Sequence, residues 1–312
     1  MKLSVSLITF NQAPFIAQSI EGALAQQTNF EYEILIGEDG STDGTREIVT
    51  HYKEKYPDRL RLLLNDRSQV SYANGKPTGN WNFANNIRNA RGEYIALLDG
   101  DDYWTSPAKL QKQVDFLERN RDCALCFHNV QILDESEPEK FQLHNTRMKP
   151  RHLSYDVMDL LSGNFMHTCS VVFRAGLFPE FPRWFFQSTF GDWPLHVLNA
   201  QHGRIGYLHE VLAVYRRHAG GVLSGQAKSR VVADSIQAAE LLRDCLTPTQ
   251  KRRLDRTVAK WYRELIELCG QQGDHESKKK FAEKYLQRFP ERKSWFLFKE
   301  RWRATVDSTL RK

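Results

Sequence analysis

The sequence predicts an α/β fold with a mostly parallel central sheet, flanking helices and a helical C-terminal extension. Over the first 130 residues, strand-like and helix-like patterns alternate, which is typical of parallel strands joined by helices. Beyond residue 225 the strand patterns stop and only helical spacing remains. The 312 residues, 41% of them hydrophobic, are enough for one large domain with an appendage. We therefore expect an α/β domain over residues 1–225 and a basic helical extension over residues 226–312.

The first part of the predicted domain contains five strands joined by helices. The opening segment alternates apolar and polar residues like a strand, and Pro14 then lies near the first turn of a helix. Short apolar runs indicate the later strands. We expect strands at Leu3–Thr9, Tyr32–Gly37, Arg59–Leu64, Glu93–Leu98 and Cys123–Leu133. We expect helices at Phe15–Gln26, Trp81–Arg91 and from Pro107 to about Arg119. A further helix is expected to end at about Tyr52, with Thr42 or Asp43 as its N-cap.

The second part of the chain begins with a polar stretch, Asp134–Arg151, that we expect to be a loop. Near the start of the extension, Thr247 and Gln250 fit a capping box with Pro248 at the first helical position. A helix is therefore predicted to begin there and to end at Gly270. The other expected elements are helices at Ser154–Leu161, Trp193–Ala200, Val231–Leu246, His275–Arg288 and Ser294–Leu310, and strands at Cys169–Arg174 and Ile205–Arg216.

Composition excludes several classes of protein. No apolar run approaches the length of about 18 residues that a membrane span needs, and the five cysteines are too scattered for a disulfide framework. Cys123 and Cys126 have CxxC spacing but lie inside an apolar run, which favours buried thiols on a strand. We expect a cytoplasmic protein with reduced cysteines. The net charge of +6 conceals an asymmetry, because Lys251–Lys312 alone carries 18 Lys/Arg against 9 Asp/Glu.

Polar side chains cluster where three of the predicted strands end. The segment Thr9–Gln12 follows the first strand, Glu38–Gly40 the second, and Asp99–Asp102 the fourth. Ligands of parallel sheets bind at the carboxyl ends of the strands, so these loops are expected to form a site. Carboxylates at a strand end suit a hard divalent cation that also binds phosphate oxygens. The same cluster read alone is also compatible with an acidic surface turn.

Five segments in order carry a resemblance to a known family. They are Ser4–Asn11 (SVSLITFN), Glu33–Thr45 (EILIGEDGSTDGT), Ala90–Trp104 (ARGEYIALLDGDDYW), Phe190–Leu195 (FGDWPL) and Val214–His218 (VYRRH). Together they resemble the inverting nucleotide-sugar glycosyltransferases of family 2, which have the GT-A fold. The resemblance covers residues 3–224. Asp99–Asp102 corresponds to the DxD motif of that family.

The resemblance implies roles for most of the polar residues at the predicted site. It implies a nucleotide-sugar donor and a divalent cation, Mn²⁺ or Mg²⁺. Asp39 suits a uracil base because a carboxylate accepts a hydrogen bond from the ring N–H. The implied contacts are Thr9, Asn11 and Asp39 for the nucleotide, Asp101 for the ribose or sugar, Asp102 and His218 for the metal, and Asp99, Arg216, Arg217 and His167 for the diphosphate or the acceptor.

Asp192 is implied as the general base. Displacement with inversion needs one carboxylate to take the proton of the acceptor hydroxyl as its oxygen attacks the anomeric carbon. Members of the family often have Glu-Asp at this point, whereas this chain has Gly191 before Asp192. The alternative is that Asp192 only caps the following helix.

The resulting functional hypothesis is transfer of a sugar, most readily from a UDP-sugar, to a glycan or polyprenyl-diphosphate-linked acceptor in bacterial surface polysaccharide synthesis. Trp295, Phe298 and Trp302 fall on one face of the last predicted helix, among basic residues. This pattern predicts docking on an anionic membrane surface, or packing of the same aromatics on the domain. No nucleic-acid partner is expected. The alternatives are a non-catalytic sugar-binding module and a dinucleotide oxidoreductase, whose glycine fingerprint the sequence lacks.

Overall fold

The computed structural model describes residues 1–137, 141–143, 154–221 and 224–292. Most of the elements within these ranges agree with the sequence patterns. The strands are β1 Leu3–Thr9, β2 Tyr32–Glu38, β3 Leu60–Leu64, β4 Ser71–Ala73, β5 Lys76–Thr78, β6 Tyr94–Asp99, β7 Tyr103–Trp104, β8 Cys123–Asp134, β9 Phe141–Leu143, β10 Ser154–Tyr155, β11 Val172–Arg174 and β12 Arg204–Arg217. The helices are α1 Ile16–Leu24, α2 Thr45–Lys55, α3 Asn80–Asn89, α4 Lys109–Arg119, α5 Val157–Leu160, α6 Asp192–Ala200, α7 Lys228–Leu242, α8 Pro248–Gln271 and α9 His275–Arg288.

The main sheet confirms the predicted α/β architecture. Its strands follow the order β10-β12-β8-β11-β6-β1-β2-β3, and β1 pairs in parallel with both β2 and β6. The short strand β11 is antiparallel to both β6 and β8, so it reverses the direction only locally. β8 pairs in parallel with β12. The long strands therefore all end at the same edge of the sheet.

Helices cover both faces of the sheet, and alternate residues of each central strand enter different cores. On β6, Ile95 and Leu97 belong to the cluster packed under α3 and α6, whereas Ala96 and Leu98 belong to the cluster under α1 and α4. α3 approaches the sheet closely because Gly37 has no side chain: a Cβ there would lie 2.2 Å from Oδ1 of Asn82. Burial on both faces explains the continuous apolar pattern of these strands.

The described part of the extension packs against the α/β domain. The indole rings of Trp261 and Trp193 meet edge-on with centroids 5.6 Å apart, and Thr257 donates a hydrogen bond to the carbonyl oxygen of Leu161. Buried residues of α7 and α8 belong to the same hydrophobic cluster as those of α6. The predicted capping box at Thr247 is confirmed. The boundary at residue 225 remains a prediction, and the predicted helix Ser294–Leu310 lies outside the described residues.

Several predicted elements differ in the structure. The segment predicted as one helix over Ser154–Leu161 begins as β10, which pairs with β12, and α5 starts only after Asp156 caps it. Cys169 lies in a 3₁₀ turn before β11. Gly44, rather than Thr42 or Asp43, occupies the position that precedes α2, while the Asp43 carboxylate accepts the backbone N–H of Thr45. The β4–β5 hairpin has no counterpart in the sequence prediction.

The five cysteines are free thiols, as predicted. Cys123 and Cys126 are buried on β8, in agreement with the expectation of strand thiols. Among the described helices, none combines the length and the apolar character that crossing a bilayer requires.

Candidate active site

The loops after β1, β2 and β6 meet at one edge of the sheet because these strands are in parallel register. Thr9 lies opposite Glu38, and Ile8 lies opposite Asp99. A cleft of about 390 Å³ opens there, within the usual range for small-molecule sites. It is lined by all of the predicted site residues except Asp102 and Arg217, namely Thr9, Asn11, Asp39, Asp99, Asp101, His167, Asp192, Arg216 and His218.

One end of the cleft is built around Asp39, which is only 3% exposed. The Nη1 nitrogen of Arg67 donates to Oδ2 of Asp39 over 3.0 Å, and the guanidinium lies over the ring of Phe10 at 4.1 Å. Burial raises the pKa of Asp39 to about 6, while the positive charge of Arg67 opposes that rise. A carboxylate, a guanidinium and an exposed aromatic ring thus share this end of the cleft.

The loop after β1 is fixed by hydrogen bonds to the loop after β2. Asn11 has a positive φ of 50°, and its Oδ1 accepts the backbone N–H of Thr42 at 2.9 Å. Its own N–H donates to Oγ of Ser41. Thr9 is 3% exposed and donates its hydroxyl hydrogen to Oε1 of Gln12. The predicted nucleotide residues Thr9 and Asn11 therefore lie in the cleft and also hold its floor together.

The acidic cluster after β6 brings three carboxylates together. Oxygen atoms of Asp99, Asp101 and Asp102 all lie within 4.8 Å of one another. Burial, together with the neighbouring negative charges, raises the pKa of Asp99 to about 8. The same causes hold the pKa of Asp102 well above its ordinary value. Three carboxylates at this spacing repel one another, so a cation between them would be strongly attracted.

The surroundings of the Asp102 carboxyl oxygens indicate whether this cluster fits a metal. It is 1% exposed, and its Oδ1 accepts the backbone N–H of Arg216 at 2.8 Å. Its Oδ2 is buried and accepts no hydrogen bond from nitrogen or oxygen in the described part of the chain; its neighbour is the thiol of Cys169. A buried carboxylate oxygen without such a donor is expensive unless a cation accompanies it. The donor set of carboxylate oxygens fits Mg²⁺ or Mn²⁺.

His218 borders the same cluster. Its Nε2 lies 3.0 Å from Oδ2 of Asp101, and its ring packs against Phe15 with centroids 4.7 Å apart. The sequence predicts His218 as a metal ligand and Asp101 as a sugar contact. The two side chains face each other at the rim of the acidic cluster, so both are within reach of a ligand bound there.

Asp192 lines the same cleft, at the first residue of α6. Burial raises its pKa, and hydrogen bonds from the backbone and from Asn164 oppose that rise. The amide nitrogen of Asn164 donates to Oδ2 of Asp192 over 2.7 Å. Gly191 occupies the cap position, while the Asp192 carboxyl accepts a backbone hydrogen bond from Trp193 in the first turn of α6. A Cβ at Gly191 would approach Oδ1 of Asn80 to 2.8 Å, so any larger residue there requires the Asn80 side chain to shift.

The remaining predicted residues differ in accessibility. His167 lines the cleft and stacks on the ring of Tyr215 with centroids 4.1 Å apart. Arg217 is not among the residues that line the cleft; its carbonyl oxygen accepts the backbone N–H of Glu135. Arg216 borders the cleft, but its three guanidinium nitrogens all donate to protein oxygens. The structure therefore brings Arg216 and His167 to the site and leaves Arg217 at its margin.

Sequence comparison identifies the family. The sequence model of glycosyl transferase family 2 matches residues 4–181, more than half of the chain. The chain belongs to glycosyltransferase family 2. The uncharacterised protein Rv1520 of Mycobacterium tuberculosis is 38% identical to it over 220 residues, which are 70% of this chain. The chain spans about 60% of the length of that relative.

Two further similarities concern characterised members and the fold. A GalNAc(5)-diNAcBac-PP-undecaprenol beta-1,3-glucosyltransferase of Campylobacter jejuni is 27% identical over 268 residues, 84% of this chain and 81% of its own length. The mannosyltransferase PcManGT of Pyrobaculum calidifontis, solved with GDP-Man and Mn²⁺, superposes with a TM-score of 0.56 and 17% identity. That match covers 94% of this chain and 87% of the other. It confirms the predicted GT-A fold.

Parts of the cleft of this family 2 chain were not expected from its sequence. Asn74 donates to Oδ1 of Asp234 over 3.2 Å, and Arg230 pairs with Oδ2 of the same carboxylate, so the β4–β5 hairpin is tied to α7. Both elements line the cleft. The sequence patterns also did not predict that Arg67 and Asn164 belong to the site. Each acts on a predicted carboxylate 28 residues away, and no local pattern indicates such a contact.

Proposed function

We propose that this chain transfers a sugar from a nucleotide-diphosphate sugar to a hydroxyl group of an acceptor, with inversion at the anomeric carbon. The observation that supports this most is the arrangement of carboxylates in one cleft. Asp39, Asp99, Asp101 and Asp192 all line it, Asp102 lies beside Asp99 and Asp101, and the charge of Asp192 acts on Asp99. One cleft thus offers carboxyl groups for a base, a diphosphate-bound cation and a reacting acceptor.

We propose UDP as the nucleotide portion of the donor. An ionised Asp39 accepts the ring N–H of uracil, and the Arg67 guanidinium beside it can donate to a carbonyl oxygen of the base. Phe10, which is 41% exposed, offers an aromatic face next to both groups. Thr9 and Asn11 would contact the ribose from the loop after β1.

We propose that Asp102, with Asp101 and His218 at the rim of the cluster, holds Mn²⁺ or Mg²⁺. Such a cation supplies charge neutralisation for the departing diphosphate. The protein's own contribution is to keep Asp102 buried and oriented by the backbone N–H of Arg216. Asp99 and His167 would contact the diphosphate or the acceptor from the same part of the cleft.

Asp192 would act as the general base. A pKa raised by burial makes this carboxylate a stronger proton acceptor than an exposed aspartate. The Asn164 amide donates to Oδ2 and orients the carboxylate that would receive the proton from the acceptor hydroxyl. As that proton moves to Asp192, the acceptor oxygen attacks the anomeric carbon from the face opposite the diphosphate, so the configuration inverts.

We propose a glycan or a polyprenyl-diphosphate-linked oligosaccharide as the acceptor, in bacterial surface polysaccharide synthesis. The Campylobacter jejuni relative is named for an undecaprenyl-diphosphate-linked acceptor. Residues 1–225 would form the catalytic domain, on the cytoplasmic side of the membrane. The basic, aromatic segment 293–312 would dock on anionic lipid, although it lies outside the described residues.

The test is a screen of nucleotide-sugars for release of free nucleoside diphosphate. UDP-sugars and GDP-mannose are incubated with Mn²⁺, with Mg²⁺ or with EDTA, each with and without a hydroxyl acceptor. We expect release from one UDP-sugar that EDTA abolishes. Binding without turnover under every condition would instead indicate a sugar-binding module, and turnover of NAD(H) would indicate an oxidoreductase.

A further inference from the structure

Arg216 is tied to the acidic turn from behind by both its backbone and its side chain. The backbone N–H donates to Oδ1 of Asp102 over 2.8 Å, and Nε donates to the carbonyl oxygen of Asp101 over 2.8 Å. The residue is 8% exposed. Two consecutive residues of the acidic turn are therefore held by one residue of β12, more than a hundred positions later in the chain.

The other two guanidinium nitrogens are occupied away from the cleft. One donates to Oε1 of Glu135 and the other to Oε1 of Gln18, each over 2.6 Å. The guanidinium carbon lies 4.7 Å from the ring centre of Phe15 and 5.2 Å from that of Tyr103. Gln18 and Glu135 are not among the residues that line the cleft. The side chain is thus fixed in position and direction by partners on several elements.

We propose that Arg216 is a positioning residue that holds the Asp101–Asp102 turn in its binding geometry, in place of the direct diphosphate contact that the sequence predicts. This inference rests on the proposed function, in which that turn binds the cation and the sugar. To reach a phosphate, the guanidinium would have to give up its hydrogen bonds to the carbonyl oxygen of Asp101, to Glu135 and to Gln18 at the same time.

The acidic turn and the guanidinium of Arg216 carry opposite charges. Oxygen atoms of Asp99, Asp101 and Asp102 lie within 4.8 Å of one another, and any two of these carboxyl groups that are ionised repel each other. The guanidinium supplies positive charge behind the loop and holds the backbone carbonyl of Asp101, while the backbone N–H of Arg216 holds the Asp102 carboxylate. Lysine carries the same charge but cannot make three fixed, planar hydrogen bonds, so it cannot replace arginine here.

The first experiment measures the loop itself in protein without metal. Hydrogen–deuterium exchange is followed in peptides covering residues 99–104 for the wild type, Arg216→Lys, Glu135→Gln and Gln18→Leu. Arg119→Lys, on the exposed face of α4, is the matched control. We expect faster exchange in these peptides for the first three variants and unchanged exchange for the control. Wild-type exchange in Arg216→Lys would overturn the proposal.

The second experiment separates positioning from direct contact. The affinity for UDP is measured by calorimetry in EDTA and in Mn²⁺. A positioning residue should leave the EDTA value unchanged and weaken the Mn²⁺ value by roughly 10- to 100-fold, as for other residues that support metal ligands. Glu135→Gln should show the same pattern more weakly. An equal loss with and without Mn²⁺ would indicate a diphosphate contact and would overturn the proposal.

The two proposals fail in different ways. If the wild type binds no nucleotide, the proposed function fails, while the exchange experiment still decides whether Arg216 holds the turn. If Arg216→Lys does not fold, as judged by circular dichroism, Glu135→Gln and Gln18→Leu carry the same test. The first removes the charge of one partner, the second removes the acceptor of the other, and both leave the guanidinium in place. Unchanged exchange in both of them would then count against the proposal.

Discussion

Arg67 donates a hydrogen bond of 3.0 Å to Oδ2 of Asp39, joining the end of β2 to the turn after β3. The pair lies in the cleft beside Phe10, and the carboxylate has a pKa raised to about 6 by burial. In the proposed complex the ionised form of Asp39 accepts the N–H of the base more strongly than the protonated form does. Nucleotide binding should therefore weaken as the pH falls through about 6.

Arg67→Met should move that pH dependence. The positive charge of Arg67 lowers the pKa of Asp39, so its removal raises the pKa further above its ordinary value. The midpoint for loss of UDP binding should shift to higher pH, and affinity should also fall at every pH. Calorimetric titration of UDP over mildly acidic to neutral pH measures both. In the control Asp39→Asn this titration should vanish; an unmoved midpoint in Arg67→Met contradicts the prediction.

Asp102→Asn should abolish the effect of Mn²⁺ without damaging the fold. The pKa of Asp102 is raised well above normal, so the folded protein without metal favours its neutral form, which the amide resembles. We expect a melting temperature in EDTA at or above that of the wild type, and no increase on adding Mn²⁺. Asp115→Asn, on α4, is the control and should retain the increase. A retained Mn²⁺ effect in Asp102→Asn would exclude this residue as the principal ligand.

Asp192→Asn should keep donor binding and lose transfer, by on the order of 10²- to 10⁴-fold for loss of a general base. The reason is that the amide preserves the shape of the cleft but cannot take a proton. Turnover and UDP-sugar affinity are measured on the same preparation. A parallel loss of donor affinity would mean that Asp192 binds the donor instead.

Asn164→Ala should change the pH dependence of turnover through its effect on Asp192. The Asn164 amide lowers the pKa of Asp192, so its removal should raise that pKa further. A base with a higher pKa is protonated at higher pH, and the acidic limb of the turnover profile should move upward. Donor affinity should stay within error of the wild type. A limb that stays in place would separate Asp192 from the titration that controls turnover.

Gly191→Ala should destabilise the protein by about 1–3 kcal/mol, the usual cost of overpacking. Its Cβ would approach Oδ1 of Asn80 to 2.8 Å and Cδ1 of Phe83 to 3.4 Å. Gly79→Ala is the matched control, since Gly79 also precedes a helix at the cap position and has no atom within 4 Å of the added Cβ. Urea unfolding of both variants measures the difference. Equal stability of the two would contradict the packing argument.

Deletion of residues 293–312 should reduce binding to anionic liposomes if this segment docks on membranes. The segment alternates basic residues with Trp295, Phe298 and Trp302, and each basic residue near an anionic leaflet contributes about 1 kcal/mol at low salt. Flotation with phosphatidylglycerol vesicles at low and high salt measures the effect, and neutral vesicles are the control. Unchanged, salt-insensitive flotation would eliminate the segment as an anchor.

The sequence alone determined the order of the elements and the edge of the sheet that carries the site. Hydrophobic periodicity and caps are local, so β1, β6 and the helix from His275 to Arg288 could be predicted almost to the residue. The site edge followed from topology, because parallel strands end together. A strand was predicted at Cys169–Arg174, but the antiparallel direction of β11 and the hairpin β4–β5 were not, since short segments carry little periodic signal.

The tertiary structure decided which side chains act together. Asn164 meets Asp192 across 28 residues, and Arg216 reaches Asp101 across 115. Such contacts leave no local pattern, because the residues next to each partner in the sequence do not depend on the other partner. Motif resemblance named the carboxylates of the site. The hydrogen-bond partners of Arg216 come together only when distant segments of the chain pack. The same packing excludes water and so raises the pKa values of Asp39 and Asp192.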